Sequence, residues 1–597
     1  MAPVISFSSI RNSFEHTPRT LALVWRASPR LSLALGALTL VSAGLPLGIA
    51  YAGKGIIDAV VAHSAALTMR WVLVELGFIA AQTLAQQGLS LVRSVMGARL
   101  SLDINIAILE KALSLELRHF EDSEFYDQLT KARREASSRP LSVITRSFQT
   151  LQNVLTLVGY VALLVHFNAW AVGGLVLAAI PATVAEMRFS SIAFRLRNWR
   201  SPESRKLMYL EYVLANDGHA KEVKLFGLGP MLLGRYRKLG ESFFEEDKSL
   251  AVRRTGWAYG LSLVATGAFY GAYLLMALQA ARGLLTLGEM TLYMVAFRQG
   301  QQAFQSMLGA ASGMYEDNLY MSNLFAYLAI PVLSIAPPSA IAPGTEGSGI
   351  TFEDVGFKYP GRDEWALRHI DLQVPRGQSI ALVGQNGAGK TTFIKLLTRL
   401  YEPTEGRILL DGKDLRQWEE DDLRRRIGVI FQDFNQYQLK VRENVGVGSI
   451  DELENDAQIE RAVDRGGAQT VVGALAEGLE TPLGRWFKDG VELSGGQWQK
   501  IALARAFMRE GADILVLDEP TAALDAEAEH AIFERFRTLT QGRTSILISH
   551  RFPTVRMADR IYVLEGGSVV EQGSHEALVA KNGRYAKLFA LQAQGYL

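Results

Sequence analysis

Cysteine is absent from this chain, so disulfides, thiolate metal sites and cysteine nucleophiles are excluded, and nothing follows about redox compartment. A surplus of one charge sign is missing too. The 62 Lys and Arg stand against 61 Asp and Glu, a formal net charge of +1. Binding nucleic acid draws on excess basic side chains to neutralise phosphates, so no nucleic-acid partner is expected. Hydrophobic residues make up 49 % of the chain and charged ones 21 %, which excludes a disordered chain. A length of 597 residues implies several domains rather than one.

Charge is also absent over long local stretches, and these are informative. Leu31 to Gly53 carries none and is long enough to cross the bilayer as a helix. Ala50-Tyr51-Ala52 mimics a small-residue cleavage site, but the apolar run exceeds a signal-peptide core and further spans follow. The first thirty residues are rich in Arg and Ser with Glu15 as their one acid. That composition fits an organelle transit peptide or the cytosolic flank of a first span. Leu76 to Val92 is charge-free but short, so the second helix is placed at 71–92 with Glu75 inside it. Ser147 to Ala185 fits two helices, 147–166 and 169–187, with a tight turn near His166-Phe167-Asn168-Ala169-Trp170. Thr255 to Ala281 is a fifth span. A sixth, 284–315, is interrupted by Glu289 and Arg298 and is rich in Gln. An Arg or an acid near mid-bilayer costs about 2.5–3.5 kcal/mol on insertion scales, so it tends to face a cavity or a partner. Arg298 and Gln302 are accordingly the candidate substrate contacts, with Gln299, Gln301 and Gln305 beside them; Glu75 and Glu186 suit the membrane interface.

Segments Arg93–Arg146 and Met187–Arg254 are long and basic, whereas the other connections are short and carry little charge. Basic loops stay on the cytosolic side. The N-terminus is then cytosolic, and an even number of spans returns the second half of the chain to the cytosol. The expected organisation is an all-α transmembrane domain at 1–330, a Pro/Gly/Ser/Ala linker at 331–349, and a soluble α/β domain at 350–597.

In that last domain the apolar strand Ser379–Val383 runs into Gly384-Gln385-Asn386-Gly387-Ala388-Gly389-Lys390-Thr391 and then a helical stretch from Thr392. This is G-x-x-x-x-G-K-[ST] in its strand–loop–helix setting. Glycines let backbone N–H groups turn inward onto phosphates, and the helix N-terminus adds partial positive charge. Lys390 should reach the β- and γ-phosphates of ATP, and the Thr391 hydroxyl should hold Mg²⁺. A second strand, Ile514–Leu517, ends in Asp518-Glu519. One carboxylate there suits Mg²⁺ and the next can polarise water for attack on the γ-phosphate. Alone, such a pair is an ordinary surface acidic pair; beside the glycine loop it is not.

Leu493-Ser494-Gly495-Gly496-Gln497 resembles the signature sequence of ATP-binding-cassette proteins, and the family's other parts follow in the family's order. The resemblance implies that Tyr359 stacks on adenine and that Gln432 is the loop glutamine, a further Mg²⁺ ligand. It also implies that Ala523-Leu524-Asp525 is the D-loop and His550 the switch histidine. With six spans upstream, the chain resembles an exporter-type half-transporter, similar to multidrug, lipid and peptide exporters. Ser494–Gln497 opens a helix, so its N–H groups form a second anion-binding terminus. In the family that terminus caps the γ-phosphate bound to the opposite subunit, which implies a dimer, most simply a homodimer. The expected location is a bacterial inner membrane, with membrane lipid as a partner. The expected activity is an ATPase driving export of an amphipathic peptide, lipid or small natural product. A membrane-bound ATP-driven regulator or receptor, or a lipid flippase, is the alternative.

One departure stands out. The family commonly carries Val-Gly-Glu-x-Gly just before the signature; here Leu483–Gly490 reads LGRWFKDG, with Lys488 where the glutamate would align or an insertion of two residues. Trp486 and Phe487 are expected to supply contacts in its place. Phe120–Tyr126 and Val223–Gly227, each combining aromatics with charges, are candidate segments for coupling to the ATPase.

Overall fold

The computed structural model describes residues 17–122, 139–167, 200–331, 349–519, 542–549 and 552–594, with isolated residues in between. It divides into two units. The first comprises residues up to Leu115 together with Asp122–Pro331; the second comprises Glu116–Glu121 and Val332–Leu597.

The first unit is helical wherever its elements are described. Among the described residues, four helices are long and apolar enough to cross a membrane: Pro29–Val61, Ala65–Leu113, Arg139–Val165 and Gly229–Ala281. Ser28 caps the first, its hydroxyl accepting from Leu31 N–H at 3.3 Å, with Pro29 supplying a preset φ at the start. A further helix, Leu287–Leu328, opens on a reciprocal capping box between Thr286 and Glu289. Lys54 also reaches Glu289, at 3.4 Å. The segments read as the first, second, third and fifth spans lie inside these helices; most of the sixth lies in Leu287–Leu328. Most of the fourth, and the turn near Asn168, fall outside the described residues.

Leu287–Leu328 packs along Arg139–Phe167, and Pro29–Val61 along Ala65–Leu113. One buried ionic cluster joins the first pair. Asp317, fully buried, takes Arg139 at 3.1 Å and Arg146 at 3.3 Å. Gly313, one turn earlier, makes room for it, because a Cβ there would collide with the Arg146 guanidinium. In contrast, Gly229–Ala281 buries only Ala265 and Met276, leaving Trp257, Tyr259, Tyr270 and several leucines exposed.

The described residues of the second unit hold two sheets. Strands β1 (Ile350–Phe357), β2 (Leu367–Val374), β3 (Ser379–Gly384), β4 (Glu405–Leu410), β5 (Lys413–Asp414), β6 (Ile427–Ile430), β7 (Ile514–Asp518), β8 (Thr544–Ile548), β9 (Arg560–Glu565) and β10 (Ser568–Gly573) follow in chain order. The antiparallel sheet is ordered β2-β1-β4-β5 and the larger one β10-β9-β3-β8-β7-β6. In the larger sheet β9, β3, β8, β7 and β6 pair in parallel. Strands β7 and β8 are buried at every position, as strands covered on both faces must be. Parallel pairing brings the carboxyl ends of β3 and β7 to one edge. Leu382 and Asp518 are both in register with Ile548, so the glycine loop and the acidic pair emerge at the same level. That edge is where ligands bind in sheets of this kind.

The cores divide the unit further. Ile350, Phe352, Ile380, Leu382, Phe393 and Val516 belong to one cluster, under the glycine loop. Leu493, Trp498 and Ile501 belong to another, with Val441 and Ile459.

Candidate nucleotide site

The glycine loop is shaped by contacts that only a missing side chain permits. A Cβ at Gly384 would lie 2.4 Å from Leu564 O, and one at Gly389 would lie 2.5 Å from Leu367 Cδ2. Gly389 also has φ +98° and stands at the N-cap of the helix Lys390–Leu397, a left-handed conformation costly for any other residue. The tight turn leaves Lys390 buried, its ammonium donating to Gly384 O at 2.8 Å and Gln385 O at 3.1 Å. Burial pulls Lys390 below its ordinary value; Glu519 and Asp518 oppose this without cancelling it. The lysine therefore sits folded against its own loop, and an anion arriving there would meet a desolvated cation.

Thr391 hydroxyl donates to Asp518 Oδ2 at 3.2 Å. Asp518 is almost fully buried, and desolvation is the main cause that pushes its carboxyl up to about 6. Glu519, one residue on, adopts φ +47°, unusual for a side chain of its size and costing about 1–2 kcal/mol. Two bonds hold it there: its N–H donates to Ile548 O at 2.9 Å, and its carboxylate accepts from Gln432 Nε2 at 3.0 Å. With that amide nitrogen turned to Glu519, the Gln432 carbonyl oxygen is left for another partner. Carboxylate, hydroxyl and amide oxygens are hard donors of the kind Mg²⁺ takes, so the residues present fit that ion.

These groups open onto a cleft of about 570 Å³ lined by Tyr359, Asn386, Gly387, Gly389, Lys390, Thr391, Thr392, Gln432 and Glu519. Tyr359 hydroxyl lies 3.0 Å from Thr392 Oγ1. Gly384 and Ala388 support the loop from beneath, Ala388 being buried. Arg362, Glu364, Trp365 and Ala366 line the cleft as well, and sequence reading missed them. No spacing marks them; they arrive because Ala366 N–H bonds Phe357 O at 2.9 Å and folds the β1–β2 connection over the loop. Asp525 and His550 lie outside the described residues.

The signature segment stands elsewhere. Ser494 caps the helix Gly495–Phe507 through a reciprocal capping box with Gln497: Ser494 N–H donates to Gln497 Oε1 at 2.8 Å, and Gln497 N–H to Ser494 Oγ at 3.3 Å. Ser494 and Gly495 are exposed. Among the described residues, none of Leu493–Gln497 lines the phosphate cleft of the same chain. Arg505, farther along that helix, donates to Asn435 O and Asn444 O and fixes the stretch following Gln432.

In the departure from the family pattern, Gly484 takes φ +89° and Trp486 N–H donates to Gln438 Oε1 at 3.3 Å. Trp486 is 85 % exposed and Phe487 60 %, so neither finds its packing within its own unit. Lys488 is exposed as well. Arg298, Gln302 and Gln305 share one exposed face of Leu287–Leu328, while Ala296, Phe297 and Ala303 face inward. Of the candidate coupling segments, Phe226 is exposed just past the helix Asp217–Leu225. Glu121 packs within the second unit; Ser123, Glu124 and Tyr126 lie outside the described residues.

A glycine loop feeding a helix, a buried Asp level with it on a parallel strand, and a separate unit of apolar helices in the same chain define a membrane-linked P-loop ATPase. The family profile for ABC transporters matches residues 367–522. The subtilin transport ATP-binding protein SpaT of Bacillus subtilis is 32 % identical over 579 residues, 96 % of this chain and 93 % of that one. The nisin transport ATP-binding protein NisT of Lactococcus lactis subsp. lactis is 29 % identical over 583 residues, 96 % and 95 % of the two chains. An ATP-dependent lipid A-core flippase of Thiobacillus denitrificans is 32 % identical over 533 residues, 88 % and 89 %. The structure of a bacterial Atm1-family ABC exporter with ATP bound superposes with a TM-score of 0.78 at 25 % identity, covering 95 % of this chain and 98 % of that one. The chain belongs to the ABC transporters, on the exporter side of that family, and is an ATPase coupled to movement of a substrate across a membrane.

Proposed function

We propose that the chain works as a homodimer that binds two ATP between its ATPase domains and exports an amphipathic peptide by alternating access. The observation that carries the dimer is the position of Ser494–Gln497, an exposed helix N-terminus that takes no part in the phosphate cleft of its own chain. A terminus that attracts anions but does not line the local phosphate cleft is useful to a second copy. Each site is then assembled from the glycine loop of one subunit and the signature of the other.

In this reading adenine stacks on Tyr359, and the backbone of Gly384–Gly389, with Asn386 and Ala388 among its members, surrounds the phosphates. Lys390 turns from its own carbonyls to the β- and γ-oxygens. Thr391, Asp518 and Gln432 would hold Mg²⁺, which supplies charge neutralisation as the γ-phosphoryl leaves. Thr392 supports the nucleotide beside Tyr359. Glu519, held by Gln432 and Ile548, accepts the proton of the attacking water, and His550 and Asp525 are assigned to the γ-phosphate and the subunit boundary. Domain limits at 330 and 350, six spans, a cytosolic ATPase and a bacterial inner membrane complete the reading. Arg298 and Gln302 are assigned to the substrate path.

A peptide is favoured because the SpaT and NisT relatives, named for subtilin and nisin transport, match 96 % of the chain. Lipid flipping is the second reading, supported by the flippase relatives. ATP-dependent uptake of a fluorescent amphipathic peptide into inverted vesicles, with peptide-stimulated phosphate release, tests the first. Flipping of a labelled lipid in proteoliposomes with no peptide uptake would favour the second. Neither movement, with ATP hydrolysis intact, would overturn export and favour a regulator.

A further inference from the structure

The cleft described above has a charged neighbour that the nucleotide reading does not use. Within the second unit, Glu121 Oε1 accepts from Lys395 Nζ at 2.7 Å, and Glu121 Oε2 accepts from Tyr401 hydroxyl at 2.5 Å. Lys395 Nζ lies 5.4 Å from the Tyr359 ring centre and 5.6 Å from that of Tyr401. The rings of Tyr359 and Tyr401 meet edge to face at 5.5 Å, and both meet Phe357. Lys395 belongs to the helix that begins at the glycine loop. One carboxylate thus anchors a cation and two aromatic rings, one of which forms a wall of the cleft.

The placement has a physical consequence. A cation close to a ring is attracted by its π-face and limits the tilt of that ring. Without a carboxylate to hold it, the flexible Lys395 stem would let its ammonium move toward water, and Tyr359 would lose that limit on its tilt. Stacking on a base needs a ring already in place, since ordering it on binding reduces affinity.

We propose that Glu121 is a positioning residue for nucleobase recognition, holding Lys395 and Tyr401 so that the Tyr359 ring is preset to receive adenine. The proposal rests on the assignment of Tyr359 in the reading above. Glu116–Glu121 belongs to the same unit as Tyr359, Lys395 and Tyr401.

The test compares ATP with inorganic triphosphate, which has the phosphates and no base, on the purified full chain. In Glu121→Gln the KM for ATP should rise on the order of tenfold, the size of a cation–π contact, with kcat nearly unchanged. Affinity for inorganic triphosphate should stay as in the parent. Tyr401→Phe should move the KM in the same direction by less. Lys395→Arg, which keeps a cation beside the ring, should behave nearly as the parent, whereas Lys395→Met should match Glu121→Gln. Equal weakening of ATP and triphosphate in Glu121→Gln would mean a merely structural role and would overturn the proposal, as would an unchanged KM. Tyr359→Ala separates the layers: if it raises the KM for ATP while Glu121→Gln does not, only the positioning role falls. If Tyr359→Ala leaves the KM unchanged, the Tyr359 assignment falls with it.

Discussion

Replacing Glu519 by Gln isolates the proton acceptance proposed for it from everything else that residue does. The amide has the shape of the carboxylate and retains an oxygen to accept from Gln432 Nε2, now at 3.0 Å. The backbone bond to Ile548 O is untouched, and the φ of +47° costs Gln about what it costs Glu. Scaffold and strain are therefore constant, and the loss is the basic oxygen. A positioned general base contributes about 10²–10⁴-fold, or about 3–5 kcal/mol of barrier, so phosphate release should fall by that factor or below detection. Binding should survive, because the loop, Lys390 and Asp518 are in place. At ATP about 100-fold above Kd, both proteins should gain about 2.7 kcal/mol of stability, visible as equal shifts in Tm. The assay is phosphate release by the full chain in lipid nanodiscs, alongside an ATP-dependent melting curve. Hydrolysis at the parent rate would refute Glu519 as the base. A variant that neither hydrolyses nor shifts its Tm with ATP would refute the claim that scaffold and chemistry are separable here.

Gly389→Ala should abolish ATP binding and turnover together, since its Cβ would meet Leu367 Cδ2 at 2.5 Å and Ala366 O at 2.8 Å at φ +98°; retained binding would show a more adaptable loop. Ser494→Ala should lose about 1 kcal/mol through its capping box and also stop hydrolysis; mixed with Lys390→Ala subunits it should regain activity, because one of the two shared sites is then intact. Asp317→Asn leaves Arg139 and Arg146 facing a neutral group in a buried place and should destabilise by about 3 kcal/mol, read as a lower Tm in detergent. Burial works to raise the Glu571 carboxyl, but bonds from Tyr585 and Arg584 N–H, at 2.9 Å and 2.8 Å, hold it below its ordinary value. Its stabilisation is present above the unfolded carboxylate value of about 4.5 and is lost as pH falls through the lower folded value. Glu571→Gln should flatten that acid limb of the melting profile while costing about 1 kcal/mol at neutral pH; an unaltered acid limb would refute the coupling.

The phosphate loop was legible because its chemistry is local. Glycines, lysine and threonine at fixed spacing follow one strand, and nothing distant is needed to read them. Asp518-Glu519 was legible for a related reason, as an acidic pair ending an apolar run, although its meaning depended on the loop nearby. Arg362, Glu364, Trp365 and Ala366 were not legible, since a cleft wall made by a folded-back connection has no periodicity. The Glu121 cluster was only half visible. Phe120–Tyr126 stood out as aromatic and charged, but its partners Lys395 and Tyr401 lie almost three hundred residues on. Trp486 and Phe487 stand exposed, and the coupling contacts expected of them are a proposal.

By itself the sequence determined the class of chemistry and the presence of apolar helices, because charge-free runs and a glycine loop act through short-range physics. Only the tertiary structure decided which edge collects the glycine loop and the acidic pair, because parallel pairing of β3, β8 and β7 sets Leu382 and Asp518 level with Ile548. It alone decided, too, that the signature helix belongs to a different core from the phosphate loop. Packing of distant segments, which no local pattern encodes, separates the two anion-binding termini of one chain.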